Sequence, residues 1–476
     1  MDLFAGGDAL TRARPASGAS QAAVSVNEQA ATQRKALGIR VAGAPAPPLL
    51  TDFQQLAEAP LGASAALLAR LSAEGWLAPT AVQRQAIPCL LAQQELLVCA
   101  PTGSGKTLAF LLPLLLLLRS HSPGGPRALV LAPTRELATQ TKRVWARICP
   151  GKTLRCTVLS KASAAGCDLG SVDLLVSTPL RLGHLLAAGK ASLSSVLYVV
   201  LDEADKLFEL GFVGQLDCVL AACTHERLLR SLFTATLPEG VETLARSVMH
   251  APVRVTVGER NAAAATVSQR LLFCGNEQGK LLAVRNLLRE GTRPPILVFT
   301  QSKERCAALA RELRMDAIPS AAIHADMSQS KRDAAVASFR CGDTWLLVAT
   351  DLLARGLDFI GVQTVVNYDF PDSPTAYVHR IGRCGRAGRS GEAVTLFTEA
   401  DAPQLRAIAN VMRASGCDVP AWMLGLQKGP KQTRAVERAP IGGQDRFDRL
   451  QKRKKRSMVD ASKRRVAASS DVAEEP

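Results

Sequence analysis

The chain has 476 residues, more than one hydrophobic core normally supports, so two domains with terminal segments are expected. An apolar fraction of 47 % is that of a globular protein and excludes a chain disordered throughout. The formal net charge of +16 favours a polyanionic partner, because Lys and Arg displace counterions condensed on phosphates, but charge alone does not separate RNA, DNA and an anionic membrane surface.

The first ten residues, "MDLFAGGDAL", lack the basic start and apolar stretch of a secretory signal. Residues 1–50 are rich in Ala, Gly, Ser and Pro and read as a flexible tail, with a short helix at "NEQAATQRKALG". From Thr51 short apolar runs alternate with helical stretches: "LLVCA" (96–100), "ALVLA" (128–132), "DLLVS" (173–177), "VLYVVL" (196–201) and "SLFTA" (231–235). Runs apolar almost throughout and separated by helices predict a parallel sheet covered on both faces. The densest run, "LAFLLPLLLLL" (108–118), has 11 residues and contains Pro113. A bilayer needs roughly 20, so this run reads as a buried helix and no membrane association is expected.

The rhythm restarts after "GERNAAAATVSQ" (258–269), with runs at 296–300, 321–325, 345–350, 365–369 and 393–398. The expected organisation is a first domain at 51–258, a linker at 259–265, a second domain at 266–425 and a basic flexible tail at 426–476. From 428 onward there are 14 Lys/Arg against 7 Asp/Glu, and "QKRKKRSMVDASKRR" (451–465) suits nuclear import or nucleic-acid contact. The 12 cysteines are scattered without CxxC spacing and read as reduced thiols packed as small hydrophobes. Six dispersed His residues offer no local ligand cluster, so no structural zinc is expected.

Three stretches carry chemistry. In "APTGSGKT" (100–107) Gly103 and Gly105 let the backbone turn its N–H groups toward an anion at a helix N-terminus. Lys106 would lie between β- and γ-phosphates, and the Thr107 hydroxyl would reach Mg²⁺. Ala100 stands where a full P-loop has glycine. In "YVVLDEADKLF" an apolar strand ends in carboxylates, with Asp202 suited to Mg²⁺ and Glu203 to the attacking water. Asp205 also reads as a structural carboxylate bonded to a neighbouring loop. In "YVHRIGRCGRAGR" (377–389) Arg380, Arg383, Arg386 and Arg389 recur every third residue, a density that suits developing phosphoryl charge. Asp358, after the turn in "DLLARGLD", could accept from a ribose hydroxyl.

With these motifs together, residues 51–425 resemble the DEAD-box ATP-dependent RNA helicases. The resemblance implies two tandem RecA-like α/β domains, each a doubly wound parallel sheet, that use ATP and Mg²⁺ and act on RNA as a monomeric catalytic unit. "GWLAPTAVQ" (75–83) resembles the adenine-reading motif, which assigns Gln83 to the adenine edge and Phe53 to packing on the base. The loop match adds Thr102 and Ser104 to Gly103, Gly105, Lys106 and Thr107 as nucleotide contacts. "PTRELA" and "TPLR" assign Thr134, Arg135, Thr178 and Arg181 to the RNA backbone, and "HADMSQSKRDAAVASFRCG" adds Gln329 and Arg332. "ATDLLARGLD" assigns Thr350 to RNA and Asp358 to nucleotide. "HRIGRCGRAGR" assigns Arg383 and Arg386 to the γ-phosphate and His379 to coupling, with Asp205, Thr234 and Thr236. Departures are "TAT" (234–236) for Ser-Ala-Thr, Cys384 for threonine, and "ASAAGCDLG" where a glycine pair is usual.

"SVLYVVLDEADKLFE", "VVNYDFP" and "GCDVP" before a Lys-rich tail are similar to a Rok-like branch of that family. That likeness implies local duplex separation on pre-rRNA during small-subunit ribosome assembly, in the nucleus and nucleolus, with ribosome-assembly factors as partners. The alternative is an RNA clamp or RNP-remodelling ATPase for which duplex unwinding is incidental.

Overall fold

Short runs of Leu, Val and Ile cannot be solvated on either side, and each is found as a strand between helices. The structure is a computed structural model. It describes residues 28–58, 62–149, 153–159, 169–258, 267–351, 361–385 and 390–426, together with 438 and 441. The linker at 259–265, Asp358, Arg386, Arg389 and the basic stretch 451–465 lie outside the described residues.

The first lobe contains β1 (Ile39–Ala42), β2 (Leu96–Cys99), β3 (Ala128–Leu131), β4 (Cys156–Val158), β5 (Leu174–Ser177), β6 (Tyr198–Asp202), β7 (Leu229–Thr234) and β8 (Val253–Val257). They form one eight-stranded sheet in the order β1-β8-β2-β7-β6-β3-β5-β4. All described pairings are parallel except β1 with β8. The second lobe contains β9 (Val267–Phe273), β10 (Ile296–Thr300), β11 (Ser320–Ile323), β12 (Leu346–Thr350), β13 (Thr364–Asn367) and β14 (Gly391–Phe397). Its six-stranded sheet has the order β11-β12-β10-β13-β14-β9 and is parallel throughout. Two tandem RecA-like α/β units result.

Helix Lys106–Leu118 is apolar around most of its circumference and is buried between the sheet and its neighbours, with Phe110 against Phe233 at 5.1 Å between ring centres. Side-chain caps start several helices: Thr134, Asn276, Ser302 and Ser373 each accept from a backbone N–H three residues on.

Residues 28–36 are helical, in the stretch "NEQAATQRKALG" where a short helix was expected, whereas Ile39–Ala42 depart from the expected flexible tail by pairing with β8. Arg34 fastens this segment, donating to Gln85 Oε1 at 2.7 Å and to the Pro47 carbonyl at 2.9 Å.

Candidate nucleotide and inter-lobe site

In a parallel sheet every strand ends on the same edge, and loops leaving that edge converge. The loop after β2 turns through Gly103 (φ 79°) and Gly105 (φ 93°) into helix Lys106–Leu118. A side chain at Gly105 would put its Cβ 2.5 Å from Gln83 Nε2, so the close approach excludes one. Gln83 Nε2 donates to the Gly105 carbonyl at 3.0 Å, Gln83 Oε1 accepts from Thr80 N, and Thr80 Oγ1 donates to the Ser104 carbonyl at 2.7 Å. Gln83 thus holds the loop's shape. Phe53, only 4 % exposed, is packed in the first-lobe core, leaving little ring surface for a base.

Lys106 Nζ donates to the carbonyls of Ala100 (2.6 Å) and Pro101 (3.0 Å). Burial draws its pKa below the ordinary value, opposed by the carboxylates of Asp202, Asp205 and Glu203. Asp202 is the last residue of β6, and its carboxyl is pushed up to about 7 by burial and by Glu203, against the pull of Lys106. Glu203 adopts a left-handed conformation (φ 49°, ψ 53°), which costs a non-glycine residue backbone energy and turns the chain directly into helix Ala204–Glu209.

Whether a nucleotide with its metal suits this pocket is decided by the atoms left over. Among the described residues, the hydroxyls of Thr102 and Ser104 and Glu203 Oε2 are buried without a hydrogen-bond partner. Buried polar atoms of this kind point to a ligand. Beside a lysine, a glycine turn and two strand-end carboxylates, they fit a triphosphate and a divalent ion.

The second lobe closes the pocket. His379 Nε2 lies 2.9 Å from Asp205 Oδ2, and the same oxygen accepts from Thr236 N (3.0 Å) and Thr236 Oγ1 (2.6 Å). Thr234 Oγ1 donates to the Thr236 carbonyl, and the Thr234 carbonyl accepts from Ala100 N, which ties this cluster to the phosphate loop. Burial would raise the Asp205 pKa; the His379 ring, with Lys206 and Thr236, more than reverses this and holds it well below the usual carboxylate range. Arg383 Nη2 approaches Glu203 Oε1 at 3.8 Å, while its Nε donates to the His379 carbonyl. Gly382 abuts Thr102: a Cβ there would lie 3.0 Å from the Thr102 Cβ. Cys384 is buried and its thiol donates to the Ile381 carbonyl at 3.1 Å.

The residues assigned to RNA by resemblance lie at strand ends or in the first turn of the helices that follow. Thr134 and Thr178 follow β3 and β5 and begin the next helices, where Thr134 Oγ1 accepts from Leu137 N. Arg135 is exposed and Arg181 half-buried. Thr350 ends β12 beside Thr300, and Gln329 opens helix Gln329–Cys341. Arg332 reaches across the lobes to Glu136 at 2.8 Å, a pairing that sequence reading did not foresee because partners 196 positions apart leave no local signal. No group of three or more His, Cys, Asp or Glu suited to a metal ion occurs among the described residues. No described helix is long and apolar enough to cross a membrane.

Residues 80–244 match the DEAD/DEAH box helicase model, and residues 279–388 match the Helicase conserved C-terminal domain. A rice (Oryza sativa subsp. japonica) protein, "DEAD-box ATP-dependent RNA helicase 57", is 49 % identical over 416 residues, covering 87 % of this chain and 77 % of that protein. "ATP-dependent RNA helicase ROK1" of Eremothecium gossypii is 42 % identical over 476 residues, covering 95 % and 84 %. The chain belongs to the DEAD-box ATP-dependent RNA helicases. Its fold is similar to that of S. cerevisiae Dbp5 bound to RNA and ADP BeF3, with a TM-score of 0.67, 26 % identity and coverage of 85 % of this chain and 99 % of that one. ATP and Mg²⁺ are characteristic of DEAD-box helicases, and this chain is an ATP-dependent RNA helicase.

Proposed function

We propose that this helicase separates short duplexes of pre-rRNA during small-subunit ribosome assembly in the nucleolus, as a Rok-like member of its family. The branch is supported by relatives bearing the ROK1 name and by the sequence features before the tail. The observation that carries the mechanism is the inter-lobe seam, where His379 and Arg383 of one lobe meet Asp205 and Glu203 of the other.

Thr102, Gly103, Ser104, Gly105 and Lys106 hold the triphosphate of ATP, with Gln83 at the adenine end. Thr107 and Asp202 would hold Mg²⁺, which would supply neutralisation of phosphate charge. Glu203 orients and deprotonates the attacking water, and its strained backbone fixes the carboxylate's aim. Arg383 and Arg386 offset the charge that develops on the γ-phosphoryl group, and Asp358 holds the ribose. Because these second-lobe groups reach the site only when the lobes meet, turnover depends on whatever favours the closed arrangement.

RNA supplies that bias. A strand lying along the strand-end edges of both sheets contacts Thr134, Arg135, Thr178 and Arg181 on one lobe and Gln329, Arg332 and Thr350 on the other. It therefore binds the closed form better than the open one, which is differential affinity and hence coupling. Grip on sugar and phosphate gives RNA preference through the 2′-hydroxyl with little base reading. Assembly factors and the basic tail then select the substrate, and a monomer suffices for catalysis.

Crosslinking the protein to cellular RNA and mapping the sites tests the assignment: reads concentrated on pre-rRNA support it, and reads elsewhere overturn the branch. A duplex-unwinding assay beside a protein-displacement assay separates strand separation from RNP remodelling.

A further inference from the structure

Beyond the second family match, Arg438 lies against the second lobe with its side chain 2 % exposed. Its guanidinium uses each nitrogen on a different partner: Nε donates to Gln301 Oε1 (3.1 Å), Nη1 to Glu277 Oε1 (3.0 Å) and Nη2 to Asp401 Oδ1 (2.7 Å). Asp369 lies 3.7 Å from Nε. The pocket also holds Lys280, 2.7 Å from Glu277, and Arg305, whose Nη2 donates to Asp369 Oδ1 at 2.6 Å and to Glu277 at 2.7 Å. Side chains of Lys280, Asp369 and Asp401 are fully buried. Three carboxylates therefore face three cations only when Arg438 is counted. Without it, a buried cluster carries one uncompensated negative charge, a costly state in a low-dielectric interior. Ile441, three residues on, packs against the apolar cluster containing Val284, Leu287 and Val298.

This pocket leads to the catalytic seam. Gln301 directly follows β10, whose last residue Thr300 lies in register with Thr350. Asp369 is held by Gln301 N (2.8 Å) and Arg305, and its carbonyl accepts from Arg380 Nη1 at 2.6 Å. Arg380 is fully buried, grips Asp351 through two bonds of 2.7 Å, and sits on helix Pro374–Ile381 next to His379. Arg383 follows one turn later.

We infer that Arg438 is a positioning residue: it plugs a built arginine pocket formed by Glu277, Gln301 and Asp401, seats positions 438 and 441 on the second lobe, and through Asp369 and Arg380 fixes the helix that carries His379 and delivers Arg383. The fork geometry selects arginine, since lysine brings a point charge that cannot serve three separated acceptors. The pocket's occupant is the chain's own, so Arg438 is part of the working second lobe. The catalytic consequence rests on the proposed role of Arg383, whereas the docking does not.

The full-length protein carries the test, with Arg438→Ala, Arg438→Lys and the parent compared in RNA-stimulated phosphate release and in binding of an ATP analogue. Arg438→Ala is expected to lose on the order of 10- to 100-fold in kcat, the range produced by small misplacements remote from the chemistry. ATP-analogue affinity without RNA should hold, because the phosphate loop belongs to the first lobe. Guanidinium ion, far below unfolding concentrations and against sodium chloride of equal ionic strength, should restore part of the loss. Arg438→Lys keeps the charge balance and should fold as the parent does, yet lose several-fold in kcat. Unchanged kcat in Arg438→Ala, or a loss that guanidinium does not relieve, would overturn the inference. Amide hydrogen exchange over residues 368–383 reads the docking alone: faster exchange in Arg438→Ala supports it even if the parent shows no RNA stimulation, and unchanged exchange refutes it.

Discussion

Removing the His379 ring should uncouple RNA from ATP without emptying the ATP pocket. The ring is 3 % exposed, and its Nε2 lies 2.9 Å from an Asp205 oxygen already bonded twice by Thr236. A hydrogen bond to a charged group contributes about 1.5–3 kcal/mol net. This one crosses the lobes, so His379→Ala withdraws that energy from the closed state only. At about 1.4 kcal/mol per tenfold, coupling should fall roughly 10- to 150-fold, the ordinary range of a coupling free energy. The assay is the ratio of ATP-analogue Kd values with and without a short RNA, and the reciprocal ratio for RNA must change by the same factor. ATP affinity without RNA should hold, because Lys106 and the glycine loop belong to the first lobe. A ratio unchanged from the parent would refute the reasoning. The same pair gives a pH dependence: Asp205 is depressed, since His379, Lys206 and Thr236 outweigh burial. A depressed carboxylate contributes stability that is fully present above its unfolded value, about 4, and lost as pH falls through its lower folded value. Asp205→Asn should therefore shift acid unfolding, because the stability lost as pH falls through the depressed carboxylate value is no longer there to lose.

Glu203→Gln should retain ATP and RNA in filter binding but lose on the order of 10²-fold or more in phosphate release, as expected for a positioned base. Phe110→Ala opens a cavity against Phe233 in a fully buried place and should cost about 3–5 kcal/mol in urea unfolding; a cost near zero would contradict the packing. Deleting residues 451–465 should weaken RNA affinity and flatten its salt dependence while ATP-analogue binding persists, and unchanged RNA binding would refute the tail's role.

The sequence-level reading succeeded where a signal is local. Runs such as "ALVL" and "ILVFT" are apolar on both faces and appear as β3 and β10, while the loop at 100–107 turns through the glycines that chemistry required. It fell short where a strand is defined by its partner. Ile39–Ala42 contains Arg40 and lies in a Pro- and Gly-rich stretch, so nothing nearby announces a strand; its backbone becomes one because β8 is there to pair with it. "CTV" and "VSQRLLF" were missed similarly, the first for brevity and the second for its polar residues at an edge of the second sheet. The seam between lobes was partly legible: His379 and Asp205 were grouped through family resemblance, whereas Glu136 with Arg332 needed the fold. Arg438 looked like one more charge in a basic tail until the structure supplied Glu277 and Asp401.

Phosphate release measured with and without single-stranded RNA at saturating ATP tests the central claim most directly. A pocket completed by the second lobe predicts that RNA raises kcat substantially and that the rise disappears when Arg383 is replaced by Ala. Equal turnover in both conditions would contradict it.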